Sequence, residues 1–194
     1  MKRPTKACAL FCIYSNEKQL STSFYIMKEF IFIAGTQNSG KTTTAWCVYQ
    51  RLFPYSEDTQ LYICGSKVIN HGEIVYKPAP YEAQPEDFKA ILKVPGYTVA
   101  IISGGDDDEL LEKEIESVYG EADFIVISLR TINRAGSSRR MVLTKYPNDY
   151  TREFFVPDYN SSLTHSLDIV NSKRPLGDKI ANYILVQTTY RDLL

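Results

Sequence analysis

The stretch FIFIAGTQNSGKTT, residues 30–43, decides how the rest of the chain is interpreted. Its apolar beginning, Phe30 to Ala34, predicts a buried strand, and the segment that starts at Lys41 predicts a helix that ends before Pro54. Between them the residues follow the pattern G-x-x-x-x-G-K-T. Placed between a strand and a helix, this pattern is typical of a P-loop, which binds the phosphates of a nucleotide.

The residue types in this pattern explain its chemistry. Gly35 allows a sharp turn off the strand, and Gly40 allows the backbone to approach phosphate oxygens. The N–H groups between them form an anion-binding nest at a helix N-terminus. Lys41 would reach the β- and γ-phosphates, and the Thr42 hydroxyl would ligate Mg²⁺. The predicted nucleotide-binding residues are Gly35, Thr36, Gln37, Asn38, Ser39, Gly40, Lys41, Thr42 and Thr43.

Composition narrows the class of protein. The chain has 194 residues, of which 44% are hydrophobic, and this is enough for a sizeable core. Its 22 basic and 23 acidic residues nearly balance, so nothing in the net charge calls for nucleic acid or an anionic membrane as partner. The four cysteines form neither a C-x-x-C pair nor a zinc pattern. We therefore expect a cytoplasmic protein without a membrane span.

The sequence predicts two regions. Residues 1–26 would be an N-terminal extension, because Met27 stands just before the P-loop strand and is a possible start. A faint likeness to a signal peptide is the alternative interpretation, although no cleavage site follows it. Residues 27–194 would form a single domain with a hairpin-containing insertion near 61–95.

Strands and helices alternate along this domain. Such alternation predicts an α/β fold of three layers, with a mainly parallel sheet and helices on both faces. Residues 86–93 and 175–193 are predicted to be helical. Ligands of such sheets bind where the strands end. The loops after Ala34, Ile102 and Leu129 are therefore predicted to share one rim.

An acidic loop follows the strand predicted at residues 97–102. In P-loop proteins this place usually holds the Walker B acid, which positions Mg²⁺. Here Ser103 ends the strand, and the first carboxylate, Asp106, comes three residues later. Two interpretations stay open: Asp106 has a metal or water role, or the acids only cap a helix whose N-cap is Asp106 or Asp107. The adjacent Gly104 and Gly105 indicate a backbone that passes close to another group.

An arginine-rich loop, residues 130–140, follows the next predicted strand. Arginines on this rim can stabilise charge that develops on a transferred γ-phosphoryl group. Arg130 and Arg134 are the best placed for this role. The alternatives are a solvated surface loop or a nucleic-acid contact.

The chain resembles the P-loop NTPase superfamily, on the evidence of the Walker A residues and the strand before them. Its size and plain strand–helix order are more similar to those of nucleotide and small-molecule kinases than to those of motors. In such kinases a lid with arginines closes over the phosphates, which implies a lid at residues 130–140 and an acceptor side at 62–88. The chain departs from the pattern at Walker B. It also lacks the N-K-x-D motif of GTPases, so ATP is the expected nucleotide.

These observations predict an ATP-binding protein that hydrolyses ATP or transfers phosphate to a small acceptor, with Mg²⁺ as its metal. The predicted catalytic residues are Lys41, Asp106, Arg130 and Arg134, and the predicted metal ligands are Thr42 and Asp106. The alternative is a nucleotide-dependent binding module or switch with little turnover. A DNA-associated ATPase is a third hypothesis, against which the balanced charge and the lack of a DNA-binding motif argue.

Overall fold

A computed structural model gives the structure of the chain and describes residues 28–63, 66–67, 87–105, 107–130, 137–157 and 166–191. The predicted extension at 1–26, residues 68–86 of the predicted insertion, Asp106 and Arg134 lie outside these ranges. The strands within them are β1 (Glu29–Gly35), β2 (Asp58–Ile63), β3 (Ser66–Lys67), β4 (Phe88–Val94), β5 (Tyr97–Ile102), β6 (Phe124–Arg130) and β7 (Tyr150–Phe155). The helices are α1 (Lys41–Leu52), α2 (Asp108–Tyr119), α3 (Ser138–Lys145) and α4 (Ser166–Arg191). In this described part of the chain, no helix has the length and apolar character needed to cross a membrane.

The strands form one sheet in the order β3-β2-β4-β5-β6-β1-β7. The pairs β5–β6, β6–β1 and β1–β7 are parallel. The pairs β3–β2, β2–β4 and β4–β5 are antiparallel. The predicted fold, a P-loop NTPase fold with a mainly parallel sheet, is therefore wrong, because half of the strand pairs are antiparallel.

One of the antiparallel pairs, β4–β5, arises from a tight turn that was not predicted from the sequence. Val94 pairs with Tyr97, so only Pro95 and Gly96 connect β4 to β5. A connection this short can join only antiparallel strands, and Gly96 supplies the positive φ of 80° that the turn uses. The predicted helix at 86–93 is wrong for a related reason. The buried residues Phe88, Ala90, Leu92 and Val94 alternate along the segment, and this period of two belongs to a strand.

Helices cover the sheet on both faces. Helices α1 and α4 pack on one face, over Ile31 and Ile33 of β1. Helices α2 and α3 pack on the other, over Phe30 and Phe32. Strand β1 lies between two parallel neighbours and is buried on both faces, which explains its uninterrupted apolar sequence.

Because β1, β5 and β6 are parallel neighbours, their carboxyl ends lie at one edge of the sheet, which we call the carboxyl edge. The ends of these strands, near Ala34, Ile102 and Leu129, share it, as predicted. Helix α4 differs from its prediction, since it begins at Ser166 and contains Pro175 in its interior rather than starting there. This longer helix brings residues before Pro175 next to α1.

Candidate functional site

The loop between β1 and α1 lies at the carboxyl edge and has the predicted strand–loop–helix setting. Strand β1 ends at Gly35, and α1 begins at Lys41. Gly40 caps the helix in the left-handed conformation, with φ 91° and ψ 29°, and Asn38 also has a positive φ of 59°. Between Gly35 and Gly40, three residues of the loop are exposed: Thr36, Gln37 and Asn38. The loop is therefore open to solvent on one side.

Hydrogen bonds fold the loop over itself. Lys41 Nζ donates to the carbonyl oxygen of Thr36 at 2.8 Å, and the amide of Ser39 donates to the same oxygen at 3.3 Å. The Thr44 hydroxyl donates to the carbonyl oxygen of Gly40 at 3.0 Å. The first of these bonds holds the lysine against the loop, at the N-terminus of α1, where the helix dipole favours an anion.

Ser39 is the one loop residue whose side chain lies wholly inside. It is fully buried, and its hydroxyl has no hydrogen-bond partner among the described residues. Its Oγ occupies the space that a side chain at Gly35 would need, so it faces the interior of the loop. An unpaired buried hydroxyl costs about 1–3 kcal/mol. This cost is removed if a bound group supplies the missing partner.

Asp87 lies beside the first turn of α1, and the sequence analysis missed it. The Thr42 hydroxyl donates to Asp87 Oδ1 at 3.4 Å. Asp87 directly precedes β4, and the amide of Phe88 donates to Ser103 Oγ at 2.7 Å, so the start of β4 is fixed to the end of β5. The alternation of apolar residues from Phe88, followed by Pro95-Gly96, was the signal that could have placed Asp87 at this edge.

The loop after β5 is packed between Asp87 and the end of β6. A side chain at Gly104 would come within 3.4 Å of the Asp87 carboxylate, and one at Gly105 would overlap the carbonyl oxygen of Ser128. The close approach that these glycines predicted is therefore an approach to protein groups. Asp107 caps α2, since its carboxylate accepts from the amide of Leu110 at 3.0 Å. This confirms Asp107 as a cap, whereas the metal role of Asp106 stays a prediction.

The arginine-rich segment divides into parts with different surroundings. Arg130 is the last residue of β6 and pairs in register with Gly35, so it stands next to the start of the loop. Arg139 lies on α3 and binds Glu153 of β7 at 3.0 Å, and it therefore contributes to packing on the α3 face. The structure thus brings Arg130 together with the loop and directs Arg139 elsewhere.

Lys173 of α4 is a second residue that the sequence analysis missed. It is 4% exposed, and its Nζ donates to the carbonyl oxygen of Pro157, just after β7, at 3.0 Å. Its aliphatic stem covers Gly40, where an added side chain would come within 2.8 Å of Lys173 Cε. The predicted helix began only at Pro175, and this start left Lys173 in a loop.

Two residues of α1 fix the helix against its surroundings. Trp46 meets Phe88 edge to face, with ring centroids 5.0 Å apart and planes at 90°. Cys47 is buried against Gly177 of α4, and this burial raises the pKa of its thiol to about 11. Cys47 is therefore a buried packing residue.

Oxygen atoms are the available ligands for a metal at this site. Thr42 Oγ1 and the Asp87 carboxylate are adjacent, and both are donors of the kind that Mg²⁺ prefers. Among the described residues, no group of three or more histidine, cysteine or acidic side chains surrounds a common point. Comparisons of the chain with models of protein families, with curated proteins and with solved structures find no match, so the assignment of this site rests on its geometry.

Proposed function

We propose that the chain is a P-loop protein that binds a nucleoside triphosphate in the loop of residues 35–43. The observation that carries this proposal is the geometry at Gly40, whose left-handed backbone joins an open loop to the first turn of α1. Such a turn directs successive amides toward a common point, where an anion is stabilised. The buried, unpaired hydroxyl of Ser39 inside the loop supports the same conclusion.

Different groups of the loop would bind different parts of the nucleotide and its metal. The loop amides would hold phosphate oxygens, and Lys41 would exchange its bond to the Thr36 carbonyl for the β- and γ-phosphates. Thr42 would hold Mg²⁺ through its hydroxyl. Bound Mg²⁺ neutralises charge on the phosphates. ATP is the proposed nucleotide, because the sequence has no guanine-reading N-K-x-D motif.

A nucleotide-binding experiment tests this proposal. Isothermal titration of ATP in Mg²⁺ buffer should give saturable binding to the wild-type protein. Lys41→Ala should weaken it by roughly 10- to 100-fold, since hydrogen bonds to charged groups contribute about 1.5–3 kcal/mol. Lys113→Ala, which removes an exposed lysine of α2, is the matched control and should leave binding unchanged. Equal affinity for ATP in wild type and Lys41→Ala would contradict the proposal.

We propose ATP hydrolysis or phosphoryl transfer as the activity, with Arg130 stabilising the charge that develops on the γ-phosphate. Its place beside Gly35 supports this role. Coupled ADP release, measured with and without a panel of nucleosides and small metabolites, separates the two activities. Release at full rate without any acceptor would exclude the kinase and favour hydrolysis.

One observation favours a switch with little turnover as the second candidate. Ser103, Gly104 and Gly105 follow β5 without a carboxylate, and Ser103 is engaged with Phe88. Up to Gly105, the described residues after this strand therefore supply no acid to orient a metal or a nucleophilic water, and Asp106 lies outside them. Tight ATP binding without measurable ADP release would support the switch.

A further inference from the structure

The direction of β4 determines which residue meets the first turn of α1. Because β4 is antiparallel to β5, its first residues lie at the carboxyl edge rather than at the opposite one. Asp87, which precedes β4, therefore lies at the candidate site. If β4 were parallel to β5, the last residues of β4 would lie there instead. Two bonds fix this position, since Ser103 exchanges backbone and side-chain hydrogen bonds with Phe88 at 2.9 and 2.7 Å.

The surroundings of Asp87 leave its carboxylate directed at Thr42. Oδ1 accepts from the Thr42 hydroxyl at 3.4 Å, a long contact that an ion between two oxygen donors can replace. A side chain added at Gly104 would come within 3.4 Å of Asp87 Oδ2, so the loop after β5 lies close to this carboxylate. Asp87 itself is exposed, which leaves it accessible to an ion from solvent.

A second observation indicates that a ligand belongs in the loop that adjoins this pair. The hydroxyl of Ser39 is fully buried in the adjoining loop, is directed toward Gly35 and has no partner within the described part of the chain. A phosphate oxygen in the loop would satisfy it. An ion held by Thr42 would then lie between that phosphate and Asp87.

We propose that Asp87 is the acidic residue of a divalent-cation site that it forms with Thr42, either by direct coordination or through a water ligand. This inference rests on the proposed triphosphate site, since the bound phosphates would supply the remaining oxygen ligands. It also has an electrostatic consequence. Without the metal, the Asp87 carboxylate repels a triphosphate, and with the metal it attracts the metal–triphosphate complex.

The test measures ATP affinity for the wild-type protein and Asp87→Asn in two buffers, one with EDTA and one with excess Mg²⁺. Removal of the negative charge should tighten metal-free binding by about three- to tenfold. It should weaken binding in Mg²⁺ by about 10- to 100-fold, as loss of a group that supports a metal does. Asp87→Glu keeps the charge and should restore much of the dependence on Mg²⁺.

Matched controls make these outcomes decisive. Glu121→Gln neutralises an exposed acid before β6, at the opposite edge of the sheet. It should leave the dissociation constant of ATP unchanged both in EDTA and in Mg²⁺. Binding of Mn²⁺ in the presence of ATP, followed by electron paramagnetic resonance, should weaken in Asp87→Asn and not in Glu121→Gln. This readout does not depend on turnover.

Several results would overturn the proposal. Asp87→Asn constants equal to those of the wild type, or equal weakening in both buffers, would show that Asp87 is not a metal residue. Transfer of the whole effect to Asp106→Asn would assign the metal to that acid instead. If wild-type protein binds ATP normally in these cases, only the role of Asp87 fails. If it binds ATP in neither buffer, the triphosphate proposal fails and this inference fails with it.

Discussion

Trp46 of α1 packs edge to face against Phe88, the first residue of β4. This contact joins the helix that starts at the candidate loop to the strand that Asp87 directly precedes. Phe88 also anchors the strand through its backbone bonds with Ser103. One aromatic pair therefore sets the distance between the two sides of the site.

Phe88→Ala should destabilise the fold by about 3–5 kcal/mol, since it removes a ring that is 4% exposed and leaves a cavity beside Trp46. Urea denaturation followed by tryptophan fluorescence measures the free energy of unfolding. Phe155→Ala is the matched control, because this ring of β7 is 62% exposed, and its loss should change stability by about 0.5 kcal/mol or less. Similar losses in both variants would contradict the packing described for Phe88.

Gly40→Ala should lower stability by about 1–3 kcal/mol, because alanine is strained at a φ of 91°. The substitution should also weaken ATP binding, since relief of the strain moves the amides at the start of α1. Gly120→Ala provides the comparison. Gly120 has a right-handed helical backbone and open space around it, so alanine there should be neutral or stabilise by up to about 1 kcal/mol. Thermal melts and ATP titrations check both variants, and a neutral Gly40→Ala would refute the prediction.

Arg130→Ala should lower ATP turnover far more than ATP affinity. An arginine that acts on the transferred phosphoryl group contributes about 10³–10⁵ in rate. Arg51→Ala changes an exposed arginine in the last turn of α1, away from the loop, and should leave turnover close to that of the wild type. The assay is steady-state ADP release, with affinity measured separately by titration. Loss of affinity without loss of rate would place Arg130 in ground-state binding instead.

The stability of the chain should depend on Cys47 at alkaline pH. Burial raises the pKa of this thiol from 9.0 to about 11 in the folded state. Between these pH values the thiol ionises in the unfolded chain and stays protonated in the folded one. The contribution of the protonated thiol to the free energy of unfolding is therefore complete below pH 9 and is lost as the pH approaches 11. Wild type should therefore lose about 2 kcal/mol more than Cys47→Ala over this range.

Urea denaturation at several pH values between about 8 and 11 measures the difference between the two proteins. The comparison with Cys47→Ala subtracts the titration of lysines and tyrosines, which both proteins share. Parallel curves for the two proteins would mean that the thiol ionises equally in the folded and unfolded states. In the folded protein, Cys47 should also react slowly with thiol reagents at neutral pH, because little thiolate is present.

The sequence was sufficient for the features that depend on near neighbours. The strand from Phe30, the turn at Gly35 and the helix from Lys41 follow from apolar runs, glycines and a helix stop within about 25 residues. The placing of helices on both faces of the sheet was predicted from the alternation of strands and helices. The proposed nucleotide and metal roles of these residues stay predictions.

What the sequence analysis missed depends on pairing between distant segments. The segment 86–93 has apolar residues that fit a short helix as well as a strand, and pairing with β2 and β5 decides in favour of the strand. Asp87 and Lys173 reach the loop only through the direction of β4 and the length of α4. Pro175 suggested the start of a helix, because proline is common in the first turn. In the structure α4 packs on α1 and continues through Pro175.

The position of β1 in the sheet also bears on how the protein is made. Glu29 pairs with Phe124 on one side and with Tyr150 on the other, so the strand must wait for partners roughly 100 residues further along the chain. During synthesis the hairpin of β4 and β5 is complete early, because only two residues separate its strands. The loop after β1 acquires its shape only when β6 and β7 have been added. A nascent or truncated chain that ends before β7 should therefore be unable to capture a ligand, and ligand capture would report that folding is complete.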